Sequence, residues 1–148
     1  MYSMLLVDDD YLVRMGLRET VDWSARSIQI TGDAANGREA LQKALALRPD
    51  IILTDVKMPV MDGLTLLKEV KKAGVDCEII ILSGYEEFDY VREALHSGAF
   101  AYLLKPIDNR QLTETVSRAV EKLAERRRPM QYYEQLSSEL SSAKKQFL

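Results

Sequence analysis

Four aspartates stand directly after short apolar runs in this chain. Asp8, Asp9 and Asp10 follow Met4-Leu5-Leu6-Val7, and Asp55 follows Ile51-Ile52-Leu53-Thr54. Runs of this length and composition read as buried strands of a parallel sheet, whose carboxyl ends open into one crevice. Acids gathered there repel: at about 4 Å and an effective dielectric near 20, two unit charges cost roughly 4 kcal/mol. A divalent cation turns that repulsion into attraction. Hard carboxylate oxygens with no His or Cys among them suit magnesium better than zinc. The pattern therefore points to a magnesium and phosphate chemistry site built around Asp55.

Elements able to position these acids are legible in the periodicity. Strand-like runs occur at Met4 to Val7, Ile28 to Ala34, Ile51 to Thr54, Ile79 to Ser83 and Ala101 to Leu104. Helical spacing follows each, as in Leu12, Met15, Gly16 and Glu19, in Ala40, Leu41, Ala44, Leu45 and Leu47, and in Leu64, Leu67 and Val70. Asp10 is expected to cap the first helix, Asn36-Gly37 to open the second, Asp62-Gly63 the third and Asp108 the fifth, while Gly74 and Gly98 stand where the third and fourth end. Five βα units imply an α/β fold, a doubly wound five-stranded parallel sheet with helices on both faces. Right-handed crossovers leave few topologies. Among them the order 2-1-3-4-5 has its switch point beside the first and third strands, which the acids follow.

Composition narrows the class. The 148 residues suit one domain with a short extension. Hydrophobic content of 47% with 29% charged residues is that of a folded globular protein, outside the signature of disorder. A net charge of -3 gives no overall footprint for nucleic acid. The single Cys77 precedes an apolar run and reads as a buried thiol, which excludes a disulfide framework and a cysteine metal site. The N-terminus enters a strand at once, with no basic region leading into a longer apolar stretch, so cytoplasmic residence is expected. After the fifth helix, Arg126-Arg127-Arg128-Pro129 reads as a basic helix end closed by a proline. This divides the chain into a domain over 1–128 and a helical tail or linker over 129–148. The tail carries Tyr133, Leu136, Leu140, Ala143 and Phe147 at alternating spacings of three and four, a two-heptad seam.

The segments Val7-Asp8-Asp9-Asp10, Thr54-Asp55-Val56-Lys57-Met58-Pro59, Asp62-Gly63, Leu82-Ser83-Gly84 and Tyr102-Leu103-Leu104-Lys105-Pro106 occur in this order, each after its own strand or in the following loop. Together they resemble the response-regulator receiver domain of two-component signalling, over roughly Met4 to Leu123. The flavodoxin-like receiver fold and its strand order are implied by this resemblance as much as by the crossover rule. The stretch Ser83 to Val91 is similar to receivers joined to AraC-type helix-turn-helix DNA-binding domains.

The resemblance implies a role for each residue. Asp55 would accept a phosphoryl group from a phosphohistidine on a sensor histidine kinase. Mg2+ would be held by Asp9 directly, by Asp8 through water or from the metal's outer shell, by Asp55 and by the Lys57 backbone carbonyl. Lys105 and Ser83 would engage phosphoryl oxygens. Ser83 and Tyr102 would form the switch, changing the face made by the fourth helix, fifth strand and fifth helix. Lys57 and Tyr85 occupy positions that tune hydrolysis of the acyl phosphate, and the Lys105-Pro106 bond is expected to be cis. Such a domain phosphorylates and dephosphorylates itself and is otherwise not an enzyme. A homodimer on phosphorylation is a further expectation. No helix pair for DNA fits after Pro129, so an output domain controlling transcription would lie outside this chain; the other reading is a stand-alone receiver acting through protein contacts.

Several residues carry plainer readings. Asp62 with Gly63 reads as a turn and cap, and His96 as a surface residue, which excludes a histidine phosphotransferase. A magnesium-dependent aspartyl-phosphate phosphatase would need Thr or Val after its Asp-x-Asp, whereas Tyr11 and Leu12 follow Asp8 and Asp10. A flavin module is opposed by the acidic first loop, which repels a cofactor phosphate. A passive interaction module has no need of clustered charge.

Overall fold

The computed structural model describes the backbone of residues 1–147 and the side chains of that span other than Tyr85 and residues 129–147. Strand β1 (Tyr2–Val7) leads to α1 (Tyr11–Glu19), a 3-10 turn (Ser24–Arg26), β2 (Ile28–Ala34) and α2 (Gly37–Leu47). Then come β3 (Ile51–Asp55), α3 (Gly63–Lys72), β4 (Glu78–Ser83), a second 3-10 turn (Tyr85–Glu87), α4 (Phe88–His96), β5 (Ala101–Leu104) and α5 (Asn109–Phe147). All strand pairs are parallel and the order is β2-β1-β3-β4-β5. The fold is the expected doubly wound sheet.

Two-residue alternation along the strands sends side chains to two separate cores. On one face Leu5, Val7, Ile52, Ile79 and Ile81 meet Ala40 and Ala44 of α2, Leu66, Leu67 and Val70 of α3 and Ala94 of α4. On the other, Met4, Leu6, Leu53, Ile80 and Leu82 meet Leu17 of α1, Trp23, and Leu112, Val116, Ala119 and Leu123 of α5. The inner strands are therefore almost wholly apolar, which is why they read as continuous hydrophobic runs. Cys77 lies in the first core, where burial pushes its thiol up to about 11. Among the described residues no helix is long and apolar enough to cross a membrane.

The caps fall where the side-chain chemistry puts them. Asp10 accepts from the Leu12 N–H at 2.9 Å, Asn36 from Glu39 at 2.9 Å, Asp62 from Thr65 at 2.7 Å and Asp108 from Arg110 at 2.8 Å. Gly74 and Gly98 take positive φ after α3 and α4. His96 is exposed at the end of α4.

The expected end of the fifth helix is corrected. Helix α5 does not stop at the arginines but runs on through Pro129 to Phe147. A proline removes one ladder bond and bends a helix without obliging the residues beyond it to leave helical geometry. The arginines have another role than completing a helix end. Arg127 pairs with Asp50 at 2.8 Å and Asp76 at 3.1 Å, and Arg126 pairs with Asp76 and the buried Glu78. They fasten α5 to the sheet immediately before the proline. The seam expected at Tyr133, Leu136, Leu140, Ala143 and Phe147 lies outside the described side chains.

Gly63 links fold and site. Its N–H donates to the Val56 carbonyl at 2.7 Å, drawing the start of α3 against the loop behind Asp55. A Cβ here would overlap the Asp55 carbonyl and crowd the Val56 backbone. Since the obstacle is main chain, the loop must move. Gly63→Ala is expected to lower stability by about 1–3 kcal/mol, read by thermal or urea unfolding; an unchanged midpoint would show that this close approach imposes no constraint.

Candidate functional site

The switch point between β1 and β3 gathers the acids. Val7 is paired with Thr54 in the ladder, so both strands finish at the same level and Asp8 and Asp9 emerge beside Asp55. Carboxylate oxygens of Asp8, Asp9 and Asp55 all lie within 4.8 Å of one another. Asp8 is fully buried, Asp55 is 6% exposed, and Asp9 is open to solvent. Asp10 faces the other way chemically, spending its side chain on the α1 cap.

Lys105, placed by the end of β5, bridges the two buried acids. Its ammonium is 3.0 Å from Asp8 Oδ2 and 3.3 Å from Asp55 Oδ2. Burial opposes its charge, but the bonds to Asp8 and Asp55 outweigh burial and raise its pKa above the ordinary lysine value. The remaining oxygens are held by main chain: Asp8 Oδ1 accepts from the Asp10 N–H and Asp55 Oδ1 from the Val56 N–H, at 2.9 and 2.8 Å. The bond between Lys105 and Pro106 is cis.

One cation does not balance the pocket. Burial, then the charge of Asp8, raises Asp55 from 3.8 to about 6, against the opposing pull of Lys105 and the Val56 N–H. The donor set is hard oxygen throughout, and positive charge is what it lacks. These residues fit a magnesium ion.

Ser83 ends β4 one strand over from Asp55, next in the chain after Leu82, which pairs with Asp55 in the ladder. Its hydroxyl is buried and has no hydrogen-bond partner among the described residues. A buried orphan hydroxyl costs free energy unless something comes to meet it. It opens into a groove of about 330 Å³ walled by Phe88, Val91, Leu95, Tyr102 and Leu104. Tyr102 is 45% exposed at the rim of this groove. Lys57 lies in the loop after β3 with its ammonium 5.8 Å from the centre of the Tyr90 ring of α4. Tyr85 lies outside the described side chains.

The structure thus brings together Asp8, Asp9, Asp55 and Lys105, sets Ser83 on the neighbouring strand, and holds Tyr102 apart at a groove rim. Sequence reasoning missed Arg14, whose guanidinium reaches the Asp8 carbonyl at 2.6 Å, and the buried Glu78.

Acids gather at the switch point of this parallel α/β sheet, and a lysine reaches them from the end of β5. The sequence profile described as the response regulator receiver domain matches residues 4–117, and the chain belongs to that family of two-component signalling domains. The receiver domain of AraT from Geobacillus stearothermophilus is 39% identical, with a TM-score of 0.80 over 85% of this chain and 98% of that one. A two-component transcriptional regulator AraC from Clostridium phytofermentans gives 34% identity and a TM-score of 0.78 over 84% of this chain and 97% of that one. The uncharacterized transcriptional regulatory protein YesN of Bacillus subtilis is 38% identical over 83% of this chain and 33% of its own length. Transcriptional regulatory protein HptR of Staphylococcus aureus is 34% identical over 84% of this chain and 49% of its own. The chain therefore spans a third to a half of these curated relatives.

A carboxyl whose folded-state pKa is raised contributes its stability below the unfolded value and loses it as pH rises through about 6. With chelator present at pH 7, Asp55→Asn should remove that penalty and unfold at a higher temperature than the parent, by on the order of 1 kcal/mol. The gap should close toward pH 4. A less stable variant at pH 7 would mean that Lys105 outweighs burial and Asp8.

Proposed function

We propose that Asp55 accepts a phosphoryl group from the phosphohistidine of a sensor histidine kinase and that the bond is later hydrolysed. The observation that carries this reading is the meeting of three carboxylates from two strands around one lysine, with an unpartnered serine hydroxyl on the next strand. A carboxylate oxygen of Asp55 attacks phosphorus, the new P–O bond forms as the P–N bond to imidazole breaks, and the imidazole leaves with the bonding pair. The transition state is loose, so the protein's part is positioning and charge neutralisation.

Asp8, Asp9, Asp55 and the Lys57 carbonyl would hold Mg2+. When bound, it supplies positive charge that the attacking carboxylate and the phosphoryl oxygens share. Lys105 is already poised between two acids and exchanges part of that pairing for a phosphoryl oxygen. The Ser83 hydroxyl gains the partner it lacks. Its movement toward the phosphoryl group frees room for Tyr102 to turn from the rim into the groove, altering the α4–β5–α5 face. Taking that equilibrium from 1:99 to 99:1 requires a preference of about 5.5 kcal/mol, a scale that charge-assisted contacts to a new group of roughly -1.5 to -2 charge can supply. The output is control of transcription by a domain outside this chain, a reading supported by the names and lengths of the relatives.

With a small-molecule phosphodonor and Mg2+, the parent chain should form one acid-stable, base-labile acyl phosphate per molecule, and Asp55→Asn none, with its circular dichroism spectrum unchanged. Stoichiometric labelling of the variant would move the acceptor elsewhere.

The α4–β5 face exposes Phe88, Tyr90, Leu95, Tyr102 and Leu104, an apolar set suited to a second activated copy. Sedimentation at increasing concentration should show self-association strengthened by beryllofluoride and Mg2+. A monomer unaffected by beryllofluoride would remove dimerisation from the signal.

A further inference from the structure

We infer that Arg14 is a positioning residue for the cation site: its guanidinium fixes the peptide joining Asp8 to Asp9 and so sets the direction of both carboxylates. The inference rests on the magnesium reading above. Arg14 lies one turn inside α1, and its own N–H donates to the Asp10 carbonyl at 3.2 Å. Its side chain turns back toward the start of the helix, leaving 13% of it exposed, and Nη1 donates to the Asp8 carbonyl at 2.6 Å. That oxygen belongs to the peptide plane between the two acids. Holding this plane restrains ψ of Asp8 and φ of Asp9, the two torsions that set how these residues stand relative to each other.

The neighbouring contacts define Asp8 from its other sides. Its Oδ1 accepts from the Asp10 N–H at 2.9 Å and its Oδ2 takes Lys105 at 3.0 Å. Arg14 adds a contact to the main-chain oxygen. The guanidinium also faces Asp33 on β2 as an ion pair, its Nε 3.7 Å away and without a hydrogen-bond partner among the described residues, and its carbon stands 5.6 Å from the centre of the Tyr11 ring. Arg18 shares Asp33 at 3.7 Å. A planar fork can meet a carbonyl and a carboxylate together, which the point charge of a lysine does less well. Such supporting contacts govern metal affinity by about 10–100-fold in other sites.

The rival account gives Arg14 a structural task only, tying α1 to β2 through Asp33. The two differ in what Mg2+ titration reads. Thermal unfolding of the parent, Arg14→Met, Arg14→Lys and Asp33→Asn would be followed across Mg2+ concentration in the absence of any phosphodonor. Arg14→Met should need about ten-fold more Mg2+ for half of its stabilisation, Arg14→Lys an intermediate amount, and Asp33→Asn, which keeps the donor to Asp8, less than two-fold more. Equal midpoints for the parent and Arg14→Met, even with lower stability in chelator, would overturn the assignment. Should Arg14→Met fail to fold, Arg14→Lys decides it by the same midpoint. A parent insensitive to Mg2+ would instead remove the magnesium reading itself, and this inference with it.

Discussion

The constraint on which this molecule turns is electrostatic. Strand order β2-β1-β3-β4-β5 makes β1 and β3 neighbours, and their ladder brings Asp8 and Asp55 to the same end at the same height. Both side chains are buried, and a buried carboxylate is costly unless paired. Lys105 is a single cation shared by two acids, and the upward displacement of Asp55 to about 6 records the shortfall. The apolar layers on either side of the sheet supply the stability against which this conflict is held. A site left short of positive charge is sensitive to any ligand that changes its charge balance, and this sensitivity is what a phosphorylation-driven domain requires.

The second unsatisfied group lies one strand away. Ser83 has a hydroxyl without a partner, and the groove it opens into is bounded by the tyrosine at its rim. A polar orphan, an apolar void and a half-exposed aromatic side chain lie in continuous contact. Each is unfavourable by itself, and one rearrangement improves all three: the hydroxyl moves to an acceptor, the void fills, and the ring leaves water. Under the proposed function, that coupling would let phosphorylation of Asp55 reach a surface formed by α4 and β5 without a long path through the core.

Much of this was legible in the sequence because the relevant signals are local. Apolar runs ended by acids gave β1 and β3, and Asn36, Asp62 and Asp108 marked helix starts because a short side-chain oxygen satisfies free N–H groups there. The residues that converge at the end of the sheet, Asp8, Asp9, Asp55 and Lys105, were legible because each follows its own strand or its neighbour there. What escaped was nonlocal or read in the wrong context. Three arginines before a proline look like a helix end when judged by sequence neighbours. The partners of two of them, Arg126 and Arg127, are Asp50, Asp76 and Glu78, which lie about fifty or more residues away and become visible only when the sheet is assembled. Arg14 escaped for a related reason, since its contact is to a main-chain oxygen, which no residue type announces.

Those arginines also bear on how the two poles of the sheet relate. Strand β4 begins at Glu78 and ends at Ser83, so the residue that faces the proposed phosphoryl site and the residue that anchors α5 are the two ends of one strand. Glu78 is almost wholly buried, with Arg126 on one oxygen and Lys122 3.7 Å from the other. Breaking a buried pair by removing one partner is commonly worth 3–5 kcal/mol, and the part-exposed Arg126 places this one at the lower end. Helix α5 is held along its length as well, by Leu112, Val116, Ala119 and Leu123 in the core. The helix that continues past Pro129 thus leaves the domain from a fixed seat, and its starting direction is set by the same sheet that gathers the acids at the opposite pole.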